Sequence, residues 1–166
     1  MKIQISKFSE GKHSFDFKMN AGEIGLDEPF FGIIVSLVDL EKFSERTILK
    51  FTTSCKGNFF CDRCLLEFEK IIEAKFQLEV SISDDEYVNK ENFNLYRINH
   101  WSEVIDLTND IKEYLELSIP SKILCQENCF GFCYQCGANL NNALGNKCNC
   151  KESEVSSSLS ELKKVL

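Results

Sequence analysis

The sequence predicts an α+β chain: a mainly antiparallel, curved β-sheet or open barrel, one covering helix, and a small cysteine-rich knuckle toward the C-terminus. Three observations lead there. Apolar residues alternate at period two through 47–57 and 67–82, as half-buried strands require. The period becomes helical over 106–118. After Pro120 the apolar rhythm stops, and six cysteines fall within 125–150. The division that follows is a β body over 1–120 containing helix 106–118, a knuckle over 121–150, and a linker with a short C-terminal helix over 151–166.

The elements follow in order. Residues 1–19 predict two short strands, with His13, Phe15, Phe17 and Met19 on one face. A connector with glycines and acidic residues follows over 20–29. Residues 33–43 are mostly apolar on both faces, as in a central strand. In the next strand Leu49, Phe51, Thr53 and Cys55 face one way, which makes Cys55 a small buried hydrophobe. The longest alternation runs over 67–82. Phe68, Ile72, Ala74, Phe76, Leu78, Val80 and Ile82 oppose Glu69, Glu73, Lys75, Gln77 and Glu79. The polar run 83–94 predicts an exposed loop. Leu107, Ile111, Tyr114 and Leu115 then recur at helical spacing, with Asp106 as N-cap and Pro120 past the end. His100-Trp101 is read as a packing element. The stretch Leu159 to Leu166 reads as a short amphipathic tail.

The formal net charge is −7, with about +1 on 121–166 and −8 on the rest. A chain that binds nucleic acid by neutralising phosphates carries a basic field, and this one does not. No stretch reaches the ~18–20 apolar residues of a membrane span, and the opening residues do not form a signal peptide. A cytoplasmic, reducing location is therefore expected. Nine cysteines in such a compartment read first as metal ligands or redox groups.

Cys133-x-x-Cys136, followed by Gly137, and Cys148-x-Cys150 form two close pairs 11 residues apart. So short and core-poor a segment needs a staple, and zinc held by four thiolates supplies one. The C-x-x-C turn aims backbone N–H groups at the first sulfur, and Gly137 relieves the positive φ that the turn needs. Cys61-Asp-Arg-Cys64 lies on a strand–strand turn and admits three readings. It is half of a second zinc site completed by Cys125 and Cys129, or a redox dithiol, or a motif kept for its turn. Catalysis is not expected. The two histidines, His13 and His100, are distant from the cysteine pairs, and no H-x-E, H-E-x-x-H, P-loop or G-x-S-x-G is present. Four thiolates also leave no open metal position for water. No small-molecule substrate or membrane is expected.

Three blocks stand in order: Cys61-Asp-Arg-Cys64-Leu65; Asp106-Leu107 with Ile111, Glu113, Leu115, Leu117 and Pro120; and Cys125, Cys129, Gly131, Cys133, Cys136-Gly137, Asn139-Leu140-Asn141, Cys148 and Cys150. Together they resemble the YceD family of large-ribosomal-RNA-subunit accumulation proteins. The resemblance spans about 45–150, and Gly11 to Phe15 looks like the start of some members. It implies a role in accumulation of the large-subunit ribosomal RNA and assembly of that subunit. The implied partners are a ribosomal protein, the large-subunit RNA precursor, or both, with a functional link to a small zinc-ribbon ribosomal protein. This sequence has Gly131-Phe132-Cys133-Tyr134 where the family has Gly-Leu-Cys-Pro, and Ser156-Ser157-Ser158 where it has Asp-Pro-Arg. The alternative is a thiol-redox or zinc-sensing protein that uses Cys61 and Cys64.

Overall fold

Alternating stretches become strands, and the one helical period becomes a helix. The computed structural model describes residues 1–44, 46–82, 89–92, 94–98, 104–141, 148 and 150. The chain divides into two units, Met1–Phe60 with Glu67–Ile123, and Cys61–Leu66 with Leu124–Leu166. The first unit holds β1 (Lys2–Gln4), β2 (Gly11–Asn20), β3 (Phe30–Lys42), β4 (Arg46–Phe60), β5 (Glu67–Ile82), β6 (Asn89–Asn92), β7 (Leu95–Ile98), β8 (Val104–Asp106) and α1 (Thr108–Leu117). Six strands form an open sheet in the order β2-β3-β4-β5-β7-β6, and β1 pairs separately with β8.

Register builds the core. In the antiparallel run from β2 to β5, Val38, Phe51 and Phe76 lie opposite one another, as do Leu40, Leu49 and Leu78. All six are buried. Helix α1 adds Ile111 and Leu115, both fully buried. The Phe51, Phe76 and Tyr114 rings stack in sequence at 4.7 and 4.1 Å. Each such aliphatic or aromatic side chain contributes about 1.5–3 kcal/mol by leaving water. Cys55 is buried as expected, and burial pushes its thiol pKa up.

The structure departs from the sequence reading in four places. In β3 one face is open: Ile34, Ser36, Val38 and Leu40 are buried, while Ile33 and Leu37 are more than half exposed. An antiparallel sheet can leave one face in water, so apolar residues on both faces did not mean burial on both. The polar stretch after β5 contains a strand, β6, which pairs with β7; the rest of the expected loop, 83–88 and 93, lies outside the described residues. Strand β7 pairs with β5 in parallel, an exception in an otherwise antiparallel sheet. Helix α1 runs over Thr108–Leu117 rather than 106–118, with Leu107 in the N-cap position. Asp106 is held extended in β8, opposite Lys2. Its carboxylate still serves the helix, accepting from the Thr108 amide at 3.1 Å and the Thr108 hydroxyl at 2.5 Å. The Thr108 hydroxyl is the main reason its pKa falls to about 2. His100-Trp101 and the tail over 151–166 lie outside the described residues.

Candidate metal centre

Two C-x-x-C turns in the second unit have the same backbone hydrogen bonding. The Leu65 amide donates to the Cys61 carbonyl at 2.9 Å, and the Cys61 amide to the Leu66 carbonyl at 2.9 Å. At the other turn Gly137 donates to Cys133 at 2.9 Å and Cys133 to Ala138 at 2.8 Å. The residue after each second cysteine closes the turn at positive φ, 51° for Leu65 and 70° for Gly137. Among the described residues Leu65 is the one non-glycine in that region.

This shape points amides at the first sulfur of each turn. Burial works against the Cys61 thiolate, but the amides of Cys125, Arg63 and Cys64 outweigh it and lower its pKa to about 6. Amides of Cys136 and Gln135 lead in bringing Cys133 to about 6. Opposite them, burial pushes Cys125 up to about 12, and the neighbouring Cys136 and Cys148 thiols push Cys150 up to about 12. One low and one high value in each group has a simple cause. Adjacent thiolates repel, and a cation among them is what lets all four ionise.

The structure gathers Cys61, Cys64, Cys125 and Cys129 into one group and Cys133, Cys136, Cys148 and Cys150 into another, with the sulfurs of each within 4.8 Å of one another. The Cys61–Cys129 and Cys64–Cys125 sulfurs lie 3.7 Å apart, and the Cys133–Cys148 sulfurs 3.2 Å apart. None of the cysteines is in a disulfide. Thiolates at ~2.3 Å around a tetrahedral zinc would be separated by ~3.8 Å. The first group matches that edge closely, and both groups offer a donor set able to hold a metal ion.

Neighbouring residues brace the first group around Cys129. The Arg63 guanidinium donates to the Cys129 carbonyl at 2.7 Å. The Asn141 side chain donates to the Cys129 sulfur at 3.4 Å and accepts from the Phe130 amide at 2.9 Å. Gly131 sits at φ 72°, where an added Cβ would lie 2.8 Å from the Arg63 carbonyl oxygen. These roles of Arg63, Asn141 and Leu65 were not visible in the sequence. Arg63 and Asn141 act on a segment remote in sequence, and nothing in the letter Leu announces positive φ. His13 takes no part; its Nε2 is 2.9 Å from the Ser9 carbonyl in the first unit.

A family model described as "Large ribosomal RNA subunit accumulation protein YceD" matches residues 49–166. A curated relative from Zea mays, "Large ribosomal RNA subunit accumulation protein YCED homolog 1, chloroplastic", is 41% identical over 61 residues, covering 37% of this chain and 20% of that protein. The matched stretch thus spans a fifth of the relative's length. No solved structure matches.

Proposed function

The chain belongs to the YceD family of large ribosomal RNA subunit accumulation proteins, and from that premise we propose that it is a non-catalytic factor for large-subunit ribosomal RNA accumulation and subunit assembly, supported by two structural zinc ions. The family match over residues 49–166 is the observation that carries this reading. Cys61, Cys64, Cys125 and Cys129 would hold one zinc, and Cys133, Cys136, Cys148 and Cys150 the other. Bound zinc would supply cross-links and charge neutralisation rather than a reactive water, because four sulfur donors saturate a tetrahedron. The Arg63 and Asn141 hydrogen bonds then fix the Cys129 segment and set the approach of its sulfur.

A thiol-redox role needs an accessible thiol of low pKa. Cys61 has the low pKa but is fully buried. The Cys64 thiol is also buried and goes up: the Leu66 amide favours its thiolate, but burial and the neighbouring cysteines outweigh that. A cytoplasmic location belongs to this reading and is supported by nine unpaired thiols. The net charge of −7 favours contact through a basic ribosomal protein over tight, sequence-blind RNA binding. Gene deletion tests the role. Large-subunit ribosomal RNA should fall relative to small-subunit RNA. Equal loss of both, or no loss, would falsify it.

A further inference from the structure

One groove of the first unit, about 660 Å³, combines aromatic lining with negative charge. Phe30 and Phe59, buried and meeting edge-on at 6.4 Å, form its inner lining. Phe31 and Phe60 are 39% and 61% exposed, although burial would stabilise each ring. Among the described residues of the lining, Glu28 and Glu67 are the charged ones. Asn58 donates to the Glu67 carboxylate and so orders it. The volume falls within the ~300–1,000 Å³ of ligand clefts, room for side chains of an extended segment.

We infer that this groove docks an arginine- or lysine-bearing, apolar segment of a basic protein. Each part of the lining has a counterpart in such a segment. Aromatic faces attract a cation over the ring and bury its aliphatic stem. Two carboxylates in the lining neutralise the charge and select against acidic segments. Phosphate is disfavoured for the same reason, which argues for protein over RNA. The inference rests on the reading that this chain acts by holding a partner, and it names the chemistry of that partner.

The test uses the full, metal-loaded chain and fluorescence anisotropy with a labelled peptide of alternating arginine and leucine. The peptide should bind, and its glutamate–leucine counterpart should not. Binding should weaken as salt rises. Glu28→Gln combined with Glu67→Gln should weaken it about tenfold, and Phe60→Ser by a similar factor. Both glutamates are exposed, so the charge variant keeps its fold even if Phe60→Ser does not. Equal affinity for the two peptides, or an unchanged affinity in the charge variant, overturns the inference. So does displacement of the peptide by single-stranded RNA, which would assign the groove to nucleic acid. If the wild-type chain restores the subunit RNA ratio in a deletion strain but fails the peptide assay, only the groove assignment falls. Peptide binding by a chain whose deletion leaves that ratio unchanged would overturn the functional reading and keep the groove.

Discussion

Leu65 occupies a backbone conformation that costs an L-residue about 1–2 kcal/mol, and its side chain is 68% exposed. Replacing it removes the strain and loses little burial. Leu65→Gly regains less than the full cost, because glycine is freer in the unfolded chain. The variant should therefore release zinc more slowly to a colorimetric chelator, by a margin worth roughly 0.5 kcal/mol. Faster release would show that the Leu65 side chain has a contact of its own to preserve. Gly131 predicts the opposite. A Cβ there would sit 2.8 Å from the Arg63 carbonyl at a φ of 72°, so Gly131→Ala should destabilise the second unit by about 1–3 kcal/mol. Gly137→Ala meets no atom of the described residues within 4 Å and should cost only the left-handed backbone penalty, about 1 kcal/mol. Comparing zinc release from the two alanine variants separates collision from backbone strain. At this scale the sequence was readable where spacing encodes chemistry, as in the paired cysteines. It was not readable where a residue acts through a distant backbone, as Arg63 does.

Among the elements, α1 shows how a periodic face becomes stability. Ile111 and Leu115 lie against the sheet fully buried, so Leu115→Ala should cost about 2–5 kcal/mol in urea denaturation of the first unit. A cost under 1 kcal/mol would mean that the helix is not held by this face. Where β8 meets α1, the Asp106 carboxyl has its pKa lowered to about 2, chiefly by the Thr108 hydroxyl. A lowered carboxyl pKa gives stabilisation that is complete above the unfolded value of ~3.9 and is lost as pH falls through about 2. Because the side chain is 52% exposed, solvent screening keeps that contribution below about 1 kcal/mol. Asp106→Asn should remove this slope from the acid limb of the stability curve and leave the neutral limb parallel to wild type. The long strands were legible because period two persists from Glu67 to Ile82. Helix α1 starts two residues later than its local sequence signal implies, because pairing of β8 with β1 is tertiary and overrides a local capping signal. The parallel partner of β5 was hidden for a related reason: four residues of β7 carry too little pattern to specify a direction.

For the whole molecule, the central expectation is that metal supports one unit more than the other. Chelation should unfold the second unit while the Phe51–Phe76–Tyr114 stack keeps its near-ultraviolet circular dichroism. Zinc stoichiometry should be two per chain and fall to one in Cys61→Ser; an unchanged value would dissolve the first group as a metal site. That Cys61 and Cys64 join Cys125 and Cys129 was one of three readings open in the sequence. Spacing specifies a pair but not which distant pair completes it. The same grouping has a topological result. Cys64 and Cys125 are 61 residues apart, and β5, β6, β7, β8 and α1 all lie between them. With metal in place the chain becomes a ring with two tails, and a cross-link over that length removes about 4 kcal/mol of unfolded-chain entropy. Elements that touch no metal would thus lean on it. In a denaturant that melts the first unit, a backbone nick anywhere inside the ring would leave both fragments travelling as one particle until a chelator parts them.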